Sequence, residues 1–190
     1  MQRVISFLSL LVLVSLVAVG CQPLQPEPAK PIMQIPAEGV VIDGVGPSTA
    51  SDPAQAQAED EFLAVALAKE QAYYNGDYQG HISYYADDIV STWPDSPEII
   101  GKSALAEGMQ PYIEENDVAG TLTVKRLWVS GDYATRQAEW DEYLIPKDGS
   151  DPQHYIGRCT LNWEKIDGEW KVVSEFVNFL EAPEAIAAAQ

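Results

Sequence analysis

The chain has 190 residues, with 29 Asp or Glu against 11 Lys or Arg, for a formal net charge of −18. So acidic a balance excludes nucleic acid as an expected partner, because backbone phosphates would be repelled, and no window of Lys and Arg is dense enough to cradle a phosphate. The length suits one domain with a real core rather than several.

Arg3 supplies one positive charge, an apolar run extends from Val4 to Val19, and the small residues Ala18-Val19-Gly20 stand directly before Cys21. This pattern resembles the lipobox of bacterial lipoproteins, with Ala18 where leucine is more usual, and it predicts a signal peptide over 1–20. The Cys21 thiol is the one nucleophile placed to take a diacylglyceryl group. A plain secretory signal or a spanning helix are the competing readings. A span needs about 20 apolar residues, and Ser6, Ser9 and Ser15 thin a shorter run here. The expected location is the cell envelope, lipid-anchored at Cys21 on the extracytoplasmic side of a bacterial membrane.

Residues 21–57 carry seven prolines from Pro23 to Pro53 and show no sustained periodicity. They cannot bury enough apolar surface to offset the entropy of ordering, and they read as an extended tether. Within them Gly39-Val40-Val41-Ile42 is a short strand-like patch. The globular part is expected over 58–182, with a frayed tail at 183–190.

Phe62, Val65, Ala66, Ala72 and Tyr73 place one apolar face on a first helix, ended by Asn75-Gly76, the second residue suited to a left-handed cap. A shorter helix is predicted from about Tyr78 to Ala86, then a strand Ile89–Trp93, a turn, and Glu98-Ile99-Ile100. A third helix follows from about Ser103, bent or ended near Pro111. After Gly120 the pattern changes to long strands, Thr121–Ser130, Tyr133–Pro146, Gln153–Ile166 and Glu169–Leu180. Hairpin signals stand at Ser130-Gly131-Asp132 and Asp167-Gly168. Helices first and a meander after them describe an α+β fold, three N-terminal helices packed on a curved antiparallel sheet.

With Cys21 lipidated, Cys159 has no disulfide partner, and its alternating strand puts it on the apolar face as a buried, inert thiol. His81 and His154 are too few and too separated for a metal site. No metal and no cofactor is expected.

Tyr84-Tyr85-Ala86-Asp87-Asp88-Ile89-Val90, Ile100-Gly101-Lys102, Gly131-Asp132-Tyr133-Ala134 and the run Trp163–Val172 occur in an order that resembles the SnoaL-like branch of the nuclear transport factor two-like superfamily. The resemblance covers roughly 59–181. It implies a cone, in which helices close the open side of a bent sheet around a pocket, and it implies a structural role for Asp87-Asp88. Members include isomerases, polyketide cyclases, dehydratases and proteins without known chemistry, so the reaction does not follow from the fold.

Strand alternation predicts the pocket-facing residues. Ala134, Arg136, Ala138, Trp140 and Glu142 are assigned inward on one strand, and Gly157, Cys159, Leu161 and Trp163 on the next. On the last strand Trp170, Val172, Ser174, Phe176 and Asn178 are assigned inward, because Lys171 and Glu175 are cheaper in water. An outer face with Val173, Val177 and Phe179 would be apolar enough for a homodimer through the sheet.

The expected ligand pocket thus comprises Tyr85, Trp93, Trp140, Ser174, Phe176 and Asn178, which suits a small, partly hydrophobic ligand. Glu142 is the candidate general base, with Arg136 or Ser174 stabilising developing charge. The competing reading pairs Glu142 with Arg136 or leaves it at a wet strand end. Three functions follow: a membrane-anchored binding module, a proton-transfer enzyme (isomerase, cyclase or dehydratase), or a dimeric scaffold whose pocket is filled by its tryptophans.

Overall fold

The computed structural model describes residues 50–181 and the backbone of two short strands, Val40–Asp43 and Glu184–Ala185. The expected signal segment, Cys21 and most of the expected tether lie outside the described residues. Among the described residues, no helix is long and apolar enough to cross a membrane.

Chain order is β1 (Val40–Asp43), α1 (Pro53–Tyr74), α2 (Tyr78–Ser83), β2 (Tyr85–Thr92), β3 (Ile99–Ile100), α3 (Lys102–Glu114), β4 (Asn116–Ser130), β5 (Tyr133–Pro146), β6 (Gln153–Ile166), β7 (Glu169–Phe179) and β8 (Glu184–Ala185). The first helix begins before residue 58. The Asp52 carboxylate accepts from the Ala54 amide at 3.1 Å, and Pro53 fills the first turn, where its missing N–H costs nothing. Gly76, at φ 70°, then releases the chain at the other end. The third helix continues past Pro111 for a full turn to Glu114, and the Glu115 amide closes onto the Pro111 carbonyl at 2.9 Å.

All strands join one curved sheet in the order β1-β4-β5-β6-β7-β2-β3, with β8 against β6. The meander β4 to β7 is antiparallel as expected, but two additions make the sheet mixed. β2 runs parallel to β7, and β1 runs parallel to β4, from Val40 opposite Gly120 to Asp43 opposite Thr123. Val40-Val41-Ile42 of the strand-like patch are therefore part of the sheet edge. The hairpin at Asp167-Gly168 has positive φ at both residues, 52° and 85°, the backbone that matches strand twist in a two-residue turn.

Two bulges in the antiparallel meander shape the cone. On β4 the register steps from Val124 opposite Ala138 to Arg126 opposite Gln137. On β7 it steps from Val172 opposite Trp163 to Ser174 opposite Asn162, so Val173 is an extra residue. An inserted residue bends a strand and reverses the face of every side chain beyond it.

The base of the cone is aromatic. Phe62 on α1 meets the Trp163 ring edge-on at 5.4 Å and the Trp170 ring at 5.0 Å, and Tyr84 closes on Trp163 at 6.4 Å. Around them Leu105, Ile113, Leu161 and Val172 are buried. Trp163 thus serves the core and leaves the space above it open.

Candidate functional site

A cavity of about 410 Å3 lies between the helices and the concave sheet. α1 contributes Lys69, Glu70, Tyr73 and Tyr74, α2 and β2 contribute His81 and Tyr85, and α3 contributes Leu105, Met109 and Tyr112. Arg136, Trp140, Glu142, Cys159, Glu175, Val177 and Phe179 form the sheet wall. Of the lining residues, Gly108 and Tyr112 on α3 are exposed, whereas Lys69, Glu70, His81, Tyr85 and Arg136 are buried.

Alternation places Arg136, Trp140 and Glu142 as expected, and Tyr85 and Trp93 also line the space. The last strand differs. Trp170 and Val172 face inward, but beyond the bulge at Val173 the phase reverses. Ser174, Phe176 and Asn178 point outward, with Phe176 at 45 % exposure, while Glu175, Val177 and Phe179 point into the cavity. The cost of burying Glu175 is met by a hydrogen bond from Ser91 Oγ at 3.2 Å, which itself accepts from Trp93 Nε1 at 2.9 Å.

The outer face is correspondingly more polar than expected. Thr135, Asn162 and Ser174 form a hydrogen-bonded ladder with two contacts of 2.8 Å. Val177 and Phe179 are absent from that face, and Phe176 and Trp128 are instead among its exposed apolar side chains.

The inner end is an ionic cluster. Glu70 Oε1 accepts from Arg136 Nη2 at 2.7 Å and lies 3.5 Å from Lys69 Nζ, all three residues being buried. Burial by itself would raise the Glu70 carboxyl, but the Arg136 and Lys69 charges outweigh it and hold the group at about 2. Lys69 also lies over the Tyr85 ring, 5.0 Å from its centroid. His81 bridges the Lys69 carbonyl at 3.2 Å and the Tyr85 hydroxyl at 3.3 Å. Burial, with the Lys69 charge, lowers the imidazole to about 3, so it is neutral here.

Arg136 does not pair with Glu142. Its Nη2 serves Glu70 and touches Cys159 Sγ at 3.5 Å, whereas Nε and Nη1 make no hydrogen bond within the protein. A buried donor left without an acceptor costs about 1–3 kcal/mol, more for a charged group. Cys159 matches the inert thiol read from its strand, its pKa pushed up to about 11 by burial.

Glu142 lies further along β5, six residues from Arg136, and accepts a short hydrogen bond from the Tyr74 hydroxyl. Burial raises its pKa to about 8 against the lowering effect of that bond. At neutral pH its carboxyl is mostly protonated and can donate as well as accept.

Lys69 and Glu70 are not among the residues the sequence singles out. The signal is nevertheless present: at seven and eight positions after Phe62 they fall on the apolar stripe of α1, where a charge needs a buried partner. Among the described residues, no group of His, Cys, Asp and Glu could hold a metal ion.

A helix-lidded cone around an aromatic cavity is the architecture of the NTF2-like proteins. The SnoaL-like domain family matches residues 64–176, and the chain belongs to that family. Solved structures agree on the fold. An NTF2-like protein of unknown function from Pseudomonas putida is 26 % identical, with a TM-score of 0.53 over 64 % of this chain and 86 % of that one. A ketosteroid isomerase-like protein from Erwinia carotovora is 20 % identical, with a TM-score of 0.57 over 66 % and 96 %. An NTF2-like superfamily protein from Salmonella enterica is 17 % identical, with a TM-score of 0.56 over 66 % and 93 %. No curated protein matches the chain by sequence.

Proposed function

We propose that this chain is a bacterial lipoprotein, held at the membrane through Cys21, whose SnoaL-like domain binds a small, partly hydrophobic ligand in its cone. The observation that carries the reading is the open cavity of about 410 Å3, walled by Tyr85, Trp93, Trp140 and Phe179 with a few fixed polar groups. Binding sites for organic ligands have this size and this balance of apolar wall to polar fixtures. Trp140 stands in the wall because it lies over Gly157, where a Cβ would collide with its ring. The strongly acidic chain would be repelled by anionic lipid, so a covalent anchor suits it.

Native mass spectrometry of the full chain after exposure to bacterial extract is expected to show a bound species of a few hundred daltons, on the order of what such a cavity holds. An unliganded spectrum throughout would remove the binding reading. Independently, Cys21→Ser is expected to move the protein from the membrane fraction to the soluble one. Unchanged retention would discard the anchor.

One observation favours a second reading, a proton-transfer isomerase, cyclase or dehydratase. Glu142, held near 8 beside the Tyr74 hydroxyl, is tuned for general acid or base work near neutral pH. A ligand recovered from heavy water with deuterium at carbon, and without it from Glu142→Gln, would decide for the enzyme.

A further inference from the structure

The cavity has two chemically different ends. Arg136 and Glu142 are both on β5 and both face inward, and α1 meets them on successive turns, Glu70 against Arg136 and Tyr74 against Glu142. At the Glu142 end the polar groups are neutral hydroxyls, Tyr74 on its carboxyl with Tyr73 and Tyr112 beside them. At the Arg136 end they are charged.

The charges at that inner end do not cancel by geometry. Lys69 and Arg136 supply two cations, and both make their close ionic contacts with the one carboxylate of Glu70. Arg136 keeps three N–H bonds unspent, one at Nε and two at Nη1, on a side chain 1 % exposed that lines the cavity. Two other carboxyls share the space, Glu175 and Glu142. Burial moves both toward their neutral forms, against the pull of the Lys69 and Arg136 charges in the case of Glu175. Ser91 hydrogen-bonds the first and Tyr74 the second, and neither forms an ion pair with Arg136.

We infer that the inner end of the cavity is a carboxylate subsite, in which Arg136 Nε and Nη1, with Lys69 nearby, receive the anionic head of a ligand whose apolar body lies along Tyr85, Trp140 and Trp93. The inference rests on the binding reading above and names its ligand class, an aryl or alkyl carboxylate. A carboxylate supplies the acceptors that the guanidinium lacks, and a charge-assisted bond inside a dry pocket is stronger than one in water. The matching neutral ligand would leave Arg136 as it is, so the discrimination comes from a buried donor left unmet. Glu70 is then the positioning residue. By occupying Nη2 it fixes the guanidinium, leaving Nε and Nη1 as buried donors without a partner on a residue of the cavity wall.

The test is calorimetric titration of the purified full chain with 4-phenylbutyrate, 4-phenylbutanamide and 4-phenylbutan-1-ol at pH 6.5. The acid is expected to bind at least about tenfold more tightly than either neutral analogue. Arg136→Lys retains a cation for Glu70 but loses Nε and Nη1. It is expected to lower affinity for the acid at least about fivefold while leaving the alcohol unchanged. Equal or tighter binding of the neutral compounds overturns the carboxylate subsite and leaves the pocket reading standing. Failure of all three to bind overturns both. The wild-type series needs no variant, so a misfolded Arg136→Lys protein would not shelter the inference.

Discussion

Replacing Glu70 with alanine is expected to cost about 3–5 kcal/mol of folding stability, a large part of what a domain of this size holds. The reason is asymmetric. Forming a buried ion pair gains little over two apolar side chains, since both ions must leave water. Removing one partner leaves the other desolvated and unpaired. Here two cations lose their counter-ion at once, because Glu70 contacts Arg136 at 2.7 Å and Lys69 at 3.5 Å. Glu70→Gln retains an acceptor and should lose less. In Glu70→Leu with Arg136→Met, the share of the loss that comes from Arg136 should return, while Lys69 stays unpaired. Urea denaturation of the four proteins at pH 7 measures this. A Glu70→Ala protein within about 0.5 kcal/mol of wild type would show that Glu70 is not the counter-ion of the cluster.

The same carboxylate adds a pH dependence. Its folded pKa of about 2 lies below its ordinary value of 4.5, so its contribution is full above 4.5 and is lost as pH falls through about 2. His81 acts on a neighbouring window. Kept neutral down to about 3, it withholds a proton that the unfolded chain binds below 6.5, so stability declines as pH falls from 6.5 toward 3.

Glu142 works in the opposite sense, and its replacement should give the second large effect. Its folded pKa is raised from 4.5 to about 8. Between those values the folded chain holds a proton that the unfolded chain has released, so stability falls as pH rises, by roughly 1.4 kcal/mol per pH unit while the window lasts. Above about 8 the loss is complete. Glu142→Gln keeps an acceptor for Tyr74 and never ionises. Its stability should match wild type near pH 5 and exceed it by about 4 kcal/mol at pH 9, a melting gap on the order of 10 °C. Parallel melting curves for the two proteins across that range would show that Glu142 is already ionised at neutral pH.

These two carboxylates mark different depths of legibility in the sequence. Glu142 is readable because β5 alternates without interruption from Ala134 to Glu142, and a glutamate in phase with Ala138 and Trp140 must face inward. Glu70 is harder to see. Its helical face is fixed by Phe62 and Ala66, but what makes a buried charge tolerable there is Arg136, 66 positions away on another element.

Local chemistry on the chain itself fixed the helix ends at Asn75-Gly76, the hairpin turns, the inward faces of β5 and β6, and the family to which the domain belongs. Each of these depends on neighbours within a few residues. Tertiary structure decided the rest. β1 became an edge strand only by finding β4, β2 lay parallel to β7 only through the closing of the cone, and the phase of β7 was reversed by the bulge at Val173. A bulge belongs to a pair of strands rather than to one sequence, since it exists only where two residues oppose one. For that reason Glu175 came to face the cavity and Ser174, Phe176 and Asn178 came to face away.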